Sequence, residues 1–491
     1  MSPLAPSKIL SVSSAAEHPQ IAAGDASAST FVNCHIVAPA CDDADRKPID
    51  LVVVLDRSGS MAGSKLDLCK QTMTFLAKEL SAHDRVALVS YDTYVTTDLR
   101  LTKMTAAGKT QLASRVEKIC AGSCTNLSGG LLAGLDEIQS PIRADGDAPN
   151  PVQSVLLLTD GHANEGVSTK DGLVSLLEGV LTQNVSLFTF GYGSDHDANL
   201  LRQLSDLGRG SYYFVQNLDG VSLAFADCLG GLLSVVAQNI KVDVNAMVHV
   251  SIAGLKTKRP VTTITPSASY EIDVGDMYAQ EERDILVQLT LDAWPHDAPQ
   301  PLVTFNVRYA NVITASMETT SSVVSVARPT VVTDTTLNAD VVAQKHRIET
   351  AEALEAAQRE AQQGNLRRGQ ELLMTHKAKM QREVQALKIE EEECVQQGLF
   401  EDLDECCVAM SDTRAYRSRG EQRMASKVQS HWAQRSNDVE VSALEVQSYA
   451  MPASAPLGDA RPSAPSKYRS SAKAKMMSKA FSFMGSSSNS N

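Results

Sequence analysis

Residues 51–66, LVVVLDRSGSMAGSKL, decide how the rest of the chain is read. The apolar run Leu51–Leu55 stops at Asp56, and Ser58 and Ser60 follow at alternate positions around Gly59. A helical pattern then begins at Lys65, with Leu66, Cys69, Met73, Leu76 and Leu80 recurring at three- and four-residue spacing. That spacing is one apolar stripe along a helix. A strand apolar along its whole length, feeding a helix of this kind, predicts a βα unit of a parallel sheet covered on both faces.

Working outward, the same alternation continues through strands at Val86–Tyr91, Val155–Thr159, Ser186–Tyr192 and Ser211–Val215. Helical patterns separate them at 109–119, 128–139, 169–183, 197–207 and 219–236. Residues 50–238 are therefore expected to form a doubly wound, Rossmann-like α/β domain. Before it, residues 1–28 are rich in Ser, Ala and Pro and read as a disordered leader. Residues 29–49 read as an edge strand and a polar loop leading into the domain. From 239 to 332 the pattern changes to period two, which predicts a small antiparallel β domain. Residues 336–436 are helical in texture, and Leu372, Leu373, Met380, Val384 and Leu387 offer a seam suited to packing on a neighbour or to self-association. Residues 437–491 read as a disordered, low-complexity tail. Its basic stretch, Lys467–Phe483, is expected to be solvated, with weak contact to an anionic membrane as the alternative.

Composition excludes several classes. The 491 residues carry 45 Lys+Arg against 58 Asp+Glu, a net charge of −13, which argues against nucleic-acid binding because phosphates demand cations. The nine cysteines contain no C-x-x-C pair, so no zinc ribbon or RING-type frame is expected. The N-terminal segment lacks the apolar core of a signal peptide, and no run of about 18 apolar residues occurs to cross a membrane. Together these features lead to the expectation of a cytoplasmic protein.

In a doubly wound sheet, ligands bind at the carboxyl ends of the strands. Asp56, Ser58 and Ser60 sit at one such end. CTNLSGGL places Thr125 in a polar loop before a helix, and VLLLTDG ends another apolar strand on Asp160. Carboxylates and hydroxyls are hard donors, so this set suits Mg²⁺, Mn²⁺ or Ca²⁺ rather than zinc. The two aspartates balance one divalent cation, and the five side chains fall short of an octahedral shell, leaving room for water or an incoming carboxylate. A phosphotransferase of the haloacid-dehalogenase kind needs a second carboxylate at position 58, where serine stands. No Ser-His-Asp or Cys-His set suggests itself, so the chain is expected not to be an enzyme. Asp92, in VSYDT, reads as a surface turn residue, and Gly129 and Gly130 as positions of close backbone approach.

D-x-S-x-S at 56–60, the threonine of TNLSGGL and the T-D-G after a buried strand together resemble the von Willebrand factor A domain and its metal-ion-dependent adhesion site. The resemblance implies that Ser58, Ser60 and Thr125 ligate a cation, and that Asp56 and Asp160 bind it directly or through water. It further implies that an Asp or Glu of a protein partner completes the shell. The wider order, with GDMYAQEERDILVQLTL after the α/β domain and helices ending in SHWAQRS, resembles intracellular A-domain proteins of plants and protists. The first part is similar to inter-α-trypsin inhibitor heavy chains. Many of the plant proteins begin with a RING finger and act as ubiquitin ligases. The first 50 residues here hold only Cys34, Cys41 and His35 of the zinc-ligating kinds apart from His18, so this resemblance implies at most a non-RING component of such a complex.

Overall fold

A computed structural model of the chain describes residues 8–42, 45–140, 146–161, 163–193, 196–215, 218–296, 298–387, 394–437 and 468–488. Two strands open the chain, β1 (Ser11–Ala16) and β2 (Ala28–Val37). The α/β domain follows, on strands β3 (Ile49–Asp56), β4 (Arg85–Tyr91), β5 (Val95–Lys103), β6 (Val152–Thr159), β7 (Val185–Tyr192) and β8 (Arg209–Val215). They form one six-stranded sheet of order β5-β4-β3-β6-β7-β8. All neighbours are parallel except β5, which lies antiparallel on β4. Six helices cover the sheet: α1 (Ser64–Glu79), α2 (Ala106–Glu117), α3 (Leu127–Gln139), α4 (Lys170–Val180), α5 (Ala198–Leu207) and α6 (Leu218–Leu232). The two-residue period of β3 explains its apolar run. Leu51, Val53 and Leu55 pack with α1 and α6, while Val52 and Val54 pack with α3, α4 and α5. The strand β5 escaped the sequence reading because VTTDLRLTK is half polar, as an edge strand with one wet face must be.

The antiparallel part adds β9 (Val235–Ala246), β10 (Val250–Lys256), β11 (Val261–Thr265), β12 (Ser269–Tyr278), β13 (Glu282–Leu291), β14 (Gln300–Asn311) and β15 (Ser316–Val326). It is a sandwich of two sheets, one of order β1-β2-β13-β10 and the other β11-β12-β9-β14-β15. Val32, Cys34 and Ile36 of one sheet share a core with Val242, Val244 and Phe305 of the other. Two expectations are corrected by this arrangement. The stretch read as a disordered leader carries β1, and the strand within 29–49 belongs to the sandwich, pairing with β1 and β13 rather than joining the α/β sheet. The α/β domain is thus an insertion between β2 and β9.

The helical region comprises α7 (Ala339–Gln362), α8 (Leu366–Leu387), α9 (Cys394–Ala409) and α10 (Glu421–Ala433). Leu373, Met380 and Val384 of the expected seam are buried in one cluster with Leu354, Leu403 and Met424, so these three pack on neighbouring helices of the same chain. The tail reading is corrected too. Residues 438–467 lie outside the described residues, but Ser471–Ser488 form a helix, α11, packed on α6. Its Met476, Met477 and Ala480 join the core shared by α1 and α6, and Phe483 meets Phe75 with ring centroids 5.6 Å apart. Of the cations expected to be solvated, with membrane contact as the alternative, Lys473 and Arg469 are buried against Asp227, while the half-exposed Lys479 pairs with Glu79 at the surface. Among the described residues, no helix is long and apolar enough to cross a membrane.

Candidate metal centre

The carboxyl edge of the parallel sheet assembles three loops. Every residue of β3 is buried, and Asp56 at its end has no exposed surface. Its Oδ1 accepts from the Ser58 backbone N–H at 2.8 Å, and its Oδ2 accepts from Thr159 Oγ1 at 2.7 Å. Burial pushes the Asp56 carboxyl above the usual range and the nearby Asp160 adds to that, while the hydrogen bonds from Ser58 and Thr159 act the other way. Asp56 is thus a carboxylate taken out of water with its compensation incomplete, the condition in which a bound cation is most favoured.

Ser58 Oγ and Ser60 Oγ lie 3.1 Å apart, and Ser60 Oγ donates to Asp160 Oδ1 at 2.7 Å. Asp160 follows β6, so a strand neighbouring β3 delivers the second carboxylate. Thr125 is buried just ahead of α3, whose first turn is capped by the Asn126 side chain accepting from Gly129 N–H. The Thr125 backbone N–H donates to Asn164 Oδ1, and its carbonyl accepts from the N–H groups of Asn164 and Glu165. The convergence shows at Gly161: a methyl group built there would sit 3.7 Å from Ser60 Oγ and 3.8 Å from Thr125 Oγ1. All five sequence-predicted residues therefore meet at one place, and Gly161 has no side chain to fill it.

Backbone hydrogen bonds hold the loops in register. Gly59 N–H donates to the Ser123 carbonyl at 2.9 Å, Gly122 N–H to the Arg57 carbonyl at 2.6 Å and Asn126 N–H to the Asp92 carbonyl at 2.9 Å. Asp92 corrects the expectation of a surface turn residue, since it is only 7% exposed. Its Oδ1 accepts from Tyr94 N–H and from Arg57 Nη2. Gly122 is required because a Cβ there would fall 1.7 Å from Asp92 Oδ2. Gly130 allows the close approach read from the sequence, with a Cβ falling 2.4 Å from the Tyr91 ring.

Sequence reasoning missed Lys65, Arg57, Thr159 and Asn164. The Lys65 ammonium pairs with Asp160 Oδ2, although a lysine opening an amphipathic helix reads as a solvated charge. Thr159 was visible in the T-D-G motif without any sign that its hydroxyl turns back to Asp56. Among the described residues no group of three or more His, Cys, Asp or Glu side chains is placed to hold a metal, and here the acids number two beside three hydroxyls. Such a donor set fits a hard divalent cation and disfavours zinc. A cavity of about 730 Å³ opens elsewhere, against β2 and β13, and its Glu281 and Arg283 are paired with each other.

A parallel sheet with this strand order, ending on D-x-S-x-S and T-D-G, defines an A-type domain. Residues 50–226 match the model of the von Willebrand factor type A domain, and this part of the chain is such a domain. The chain is 33% identical over 254 residues to the E3 ubiquitin-protein ligase WAV3 of Arabidopsis thaliana, covering 50% of this chain and 32% of that protein. It is 30% identical over 179 residues to inter-alpha-trypsin inhibitor heavy chain H2 of Sus scrofa, covering 36% of this chain and 19% of the heavy chain. Only a third or less of either relative is therefore represented. A von Willebrand factor type A structure from Catenulispora acidiphila superposes with a TM-score of 0.57 at 13% identity, covering 74% of this chain and 86% of that one. That likeness concerns the fold.

Proposed function

We propose that this chain is a divalent-cation-dependent protein-binding scaffold. Asp56, Ser58, Ser60, Thr125 and Asp160 would hold Mg²⁺, or Mn²⁺ or Ca²⁺, and an Asp or Glu side chain of a protein partner would be captured through it. The observation that carries this reading is the meeting of two buried carboxylates and three hydroxyls at the carboxyl edge of the sheet. The metal would supply a positive centre that a partner's carboxylate recognises. This chain's own residues fix the donors: Thr159 and the Ser58 N–H orient Asp56, and Asn164 orients the Thr125 loop. With no nucleophile–base pair among these groups, the reading is of binding rather than catalysis, in the cytoplasm, without nucleic acid.

Calorimetry on the full chain should detect a single Mg²⁺ site that Asp56→Ala abolishes, and partner capture should disappear in EDTA. Equal Mg²⁺ binding by the variant would refute the assignment of the site. The similarity to WAV3 favours a second reading, in which the chain is the substrate-binding, non-RING component of a ubiquitin-ligase complex. Robust autoubiquitination by the purified chain alone would overturn both the non-enzymatic and the non-RING readings.

A further inference from the structure

The Asp56–Asp160 pair is accompanied by a cation of the chain's own. Lys65 stands in the first turn of α1, and its ammonium pairs with Asp160 Oδ2 while Asp160 Oδ1 takes the Ser60 hydroxyl. The Asp160 side chain is fully buried, whereas the Lys65 side chain is 33% exposed. The other nearby cation, Arg57, is engaged with Asp92. With Lys65 counted, the centre carries one negative charge rather than two. A divalent cation then leaves it positive, not neutral.

Resting on the metal-dependent reading above, we propose that Lys65 both competes with the divalent cation and serves as co-receptor for the partner's carboxylate. Competition follows because the ammonium and the metal draw on the same Asp160 oxygens. The co-receptor role follows from the charge that remains. Were Asp160 to hold a metal, the Lys65 ammonium would give up its place there, and its flexible four-carbon stem would let it move to the mouth of the site. There one arriving carboxylate neutralises the surplus positive charge. The centre thereby binds its metal more weakly than the donor set alone allows, and binds a monoanionic acidic side chain more tightly.

The test uses the full chain with Mn²⁺ as the metal and acetate as the carboxylate. Mn²⁺ affinity is read by calorimetry, and acetate binding by the fall in water-proton relaxation at bound Mn²⁺. Lys65→Met keeps the stem and the helix propensity but removes the charge. It should bind Mn²⁺ about tenfold more tightly, since a like charge beside the metal is gone. It should bind acetate several-fold more weakly, as the loss of a part-exposed ion pair requires. Lys65→Arg, which restores the charge, should return both values to within about twofold of wild type. Opposite shifts in the two affinities separate this role from simple damage to the site, which weakens both. An unchanged or weaker Mn²⁺ affinity in Lys65→Met, unchanged acetate binding, or failure of the arginine variant to restore either value overturns the proposal. Failure of the wild-type chain to bind Mn²⁺ would instead overturn the metal-dependent reading itself, and this proposal with it.

Discussion

Lys473→Met should release the C-terminal helix α11 from the A domain without unfolding the rest. Lys473 is fully buried, its ammonium 2.6 Å from Asp227 Oδ2 and 2.8 Å from the Ser436 carbonyl. Asp227, on α6, has no exposed surface and also accepts from the Tyr213 hydroxyl at 2.8 Å. Removing one partner of a buried pair leaves an uncompensated charge, at a cost of roughly 3–5 kcal/mol. The Tyr213 hydroxyl remains in the variant, and Arg469 Nε lies 3.7 Å from Asp227 Oδ1, so the cost falls at the low end. A loss of about 3 kcal/mol corresponds to a rise in local opening on the order of a hundredfold. The double variant Asp227→Asn, Lys473→Met removes both charges and keeps an acceptor for Tyr213, so its loss should shrink to about 1 kcal/mol. Because a chain of several domains does not unfold as one unit, hydrogen exchange resolved along the sequence is the appropriate assay. Amides of Ser471–Phe483 should exchange about a hundredfold faster in the single variant, while those of β3 and β6 stay protected. Unchanged exchange in the single variant, or a double variant as damaged as the single one, would refute the reasoning.

A pH prediction arises where Glu281 is gripped between Arg283 and Arg435. Burial alone pushes its carboxyl up, but the two guanidinium groups overcome this and hold it at about 2, below the ordinary 4.5. A depressed carboxyl contributes stability above its unfolded value and loses it as pH falls through the folded one. Denaturation midpoints should therefore decline between pH 4.5 and about 2, and Glu281→Gln should flatten that decline while costing stability at neutral pH. Near the candidate site, Gly130→Ala pushes a methyl group into the Tyr91 ring. Thermal melting should register a loss of about 1–3 kcal/mol, the usual penalty of overpacking, and a melting curve like wild type would show that the ring can move aside.

The parts of this protein that were legible in its sequence are those whose chemistry is costly where it stands. Asp56 closing the apolar run Leu51–Leu55 is expensive unless something uses it, and that expense drew attention to Ser58, Ser60, Thr125 and Asp160 together. The five parallel strands of the A domain were equally visible, since burial on both faces writes a continuous apolar run. What stayed hidden was long-range pairing. Cys34 pairs with Ile285 across the intervening A domain, and nothing near FVNCHIV reveals that partner. Lys473 lies in SSAKAKMMSK, which reads as solvated until Asp227, 246 positions earlier, is placed against it. Lys65 is the same case within the site: its charge was plain, but its pairing with Asp160 depends on how α1 leaves the serine loop.

The insertion of the A domain between β2 and β9 bears on how the candidate site faces the rest of the molecule. The chain enters β3 at its amino end, directly from the sandwich, and α6 runs back to that same edge before β9 begins. Both covalent junctions are therefore on the amino edge of the parallel sheet, and the D-x-S-x-S, Thr125 and Asp160 loops are on the opposite one. The lateral edges are also closed. One is the antiparallel strand β5, whose polar outer positions discourage pairing. The other is β8, where Gln429 accepts from the Tyr212 N–H and Asn437 donates to the Tyr212 carbonyl, so side chains of α10 and the segment after it occupy the open ladder. The carboxyl edge is thus the one that the proposed function assigns to a partner. At that edge Asp160 stands with Lys65 already beside it, so under the proposed function the charge offered to a metal and a partner is set by the chain itself.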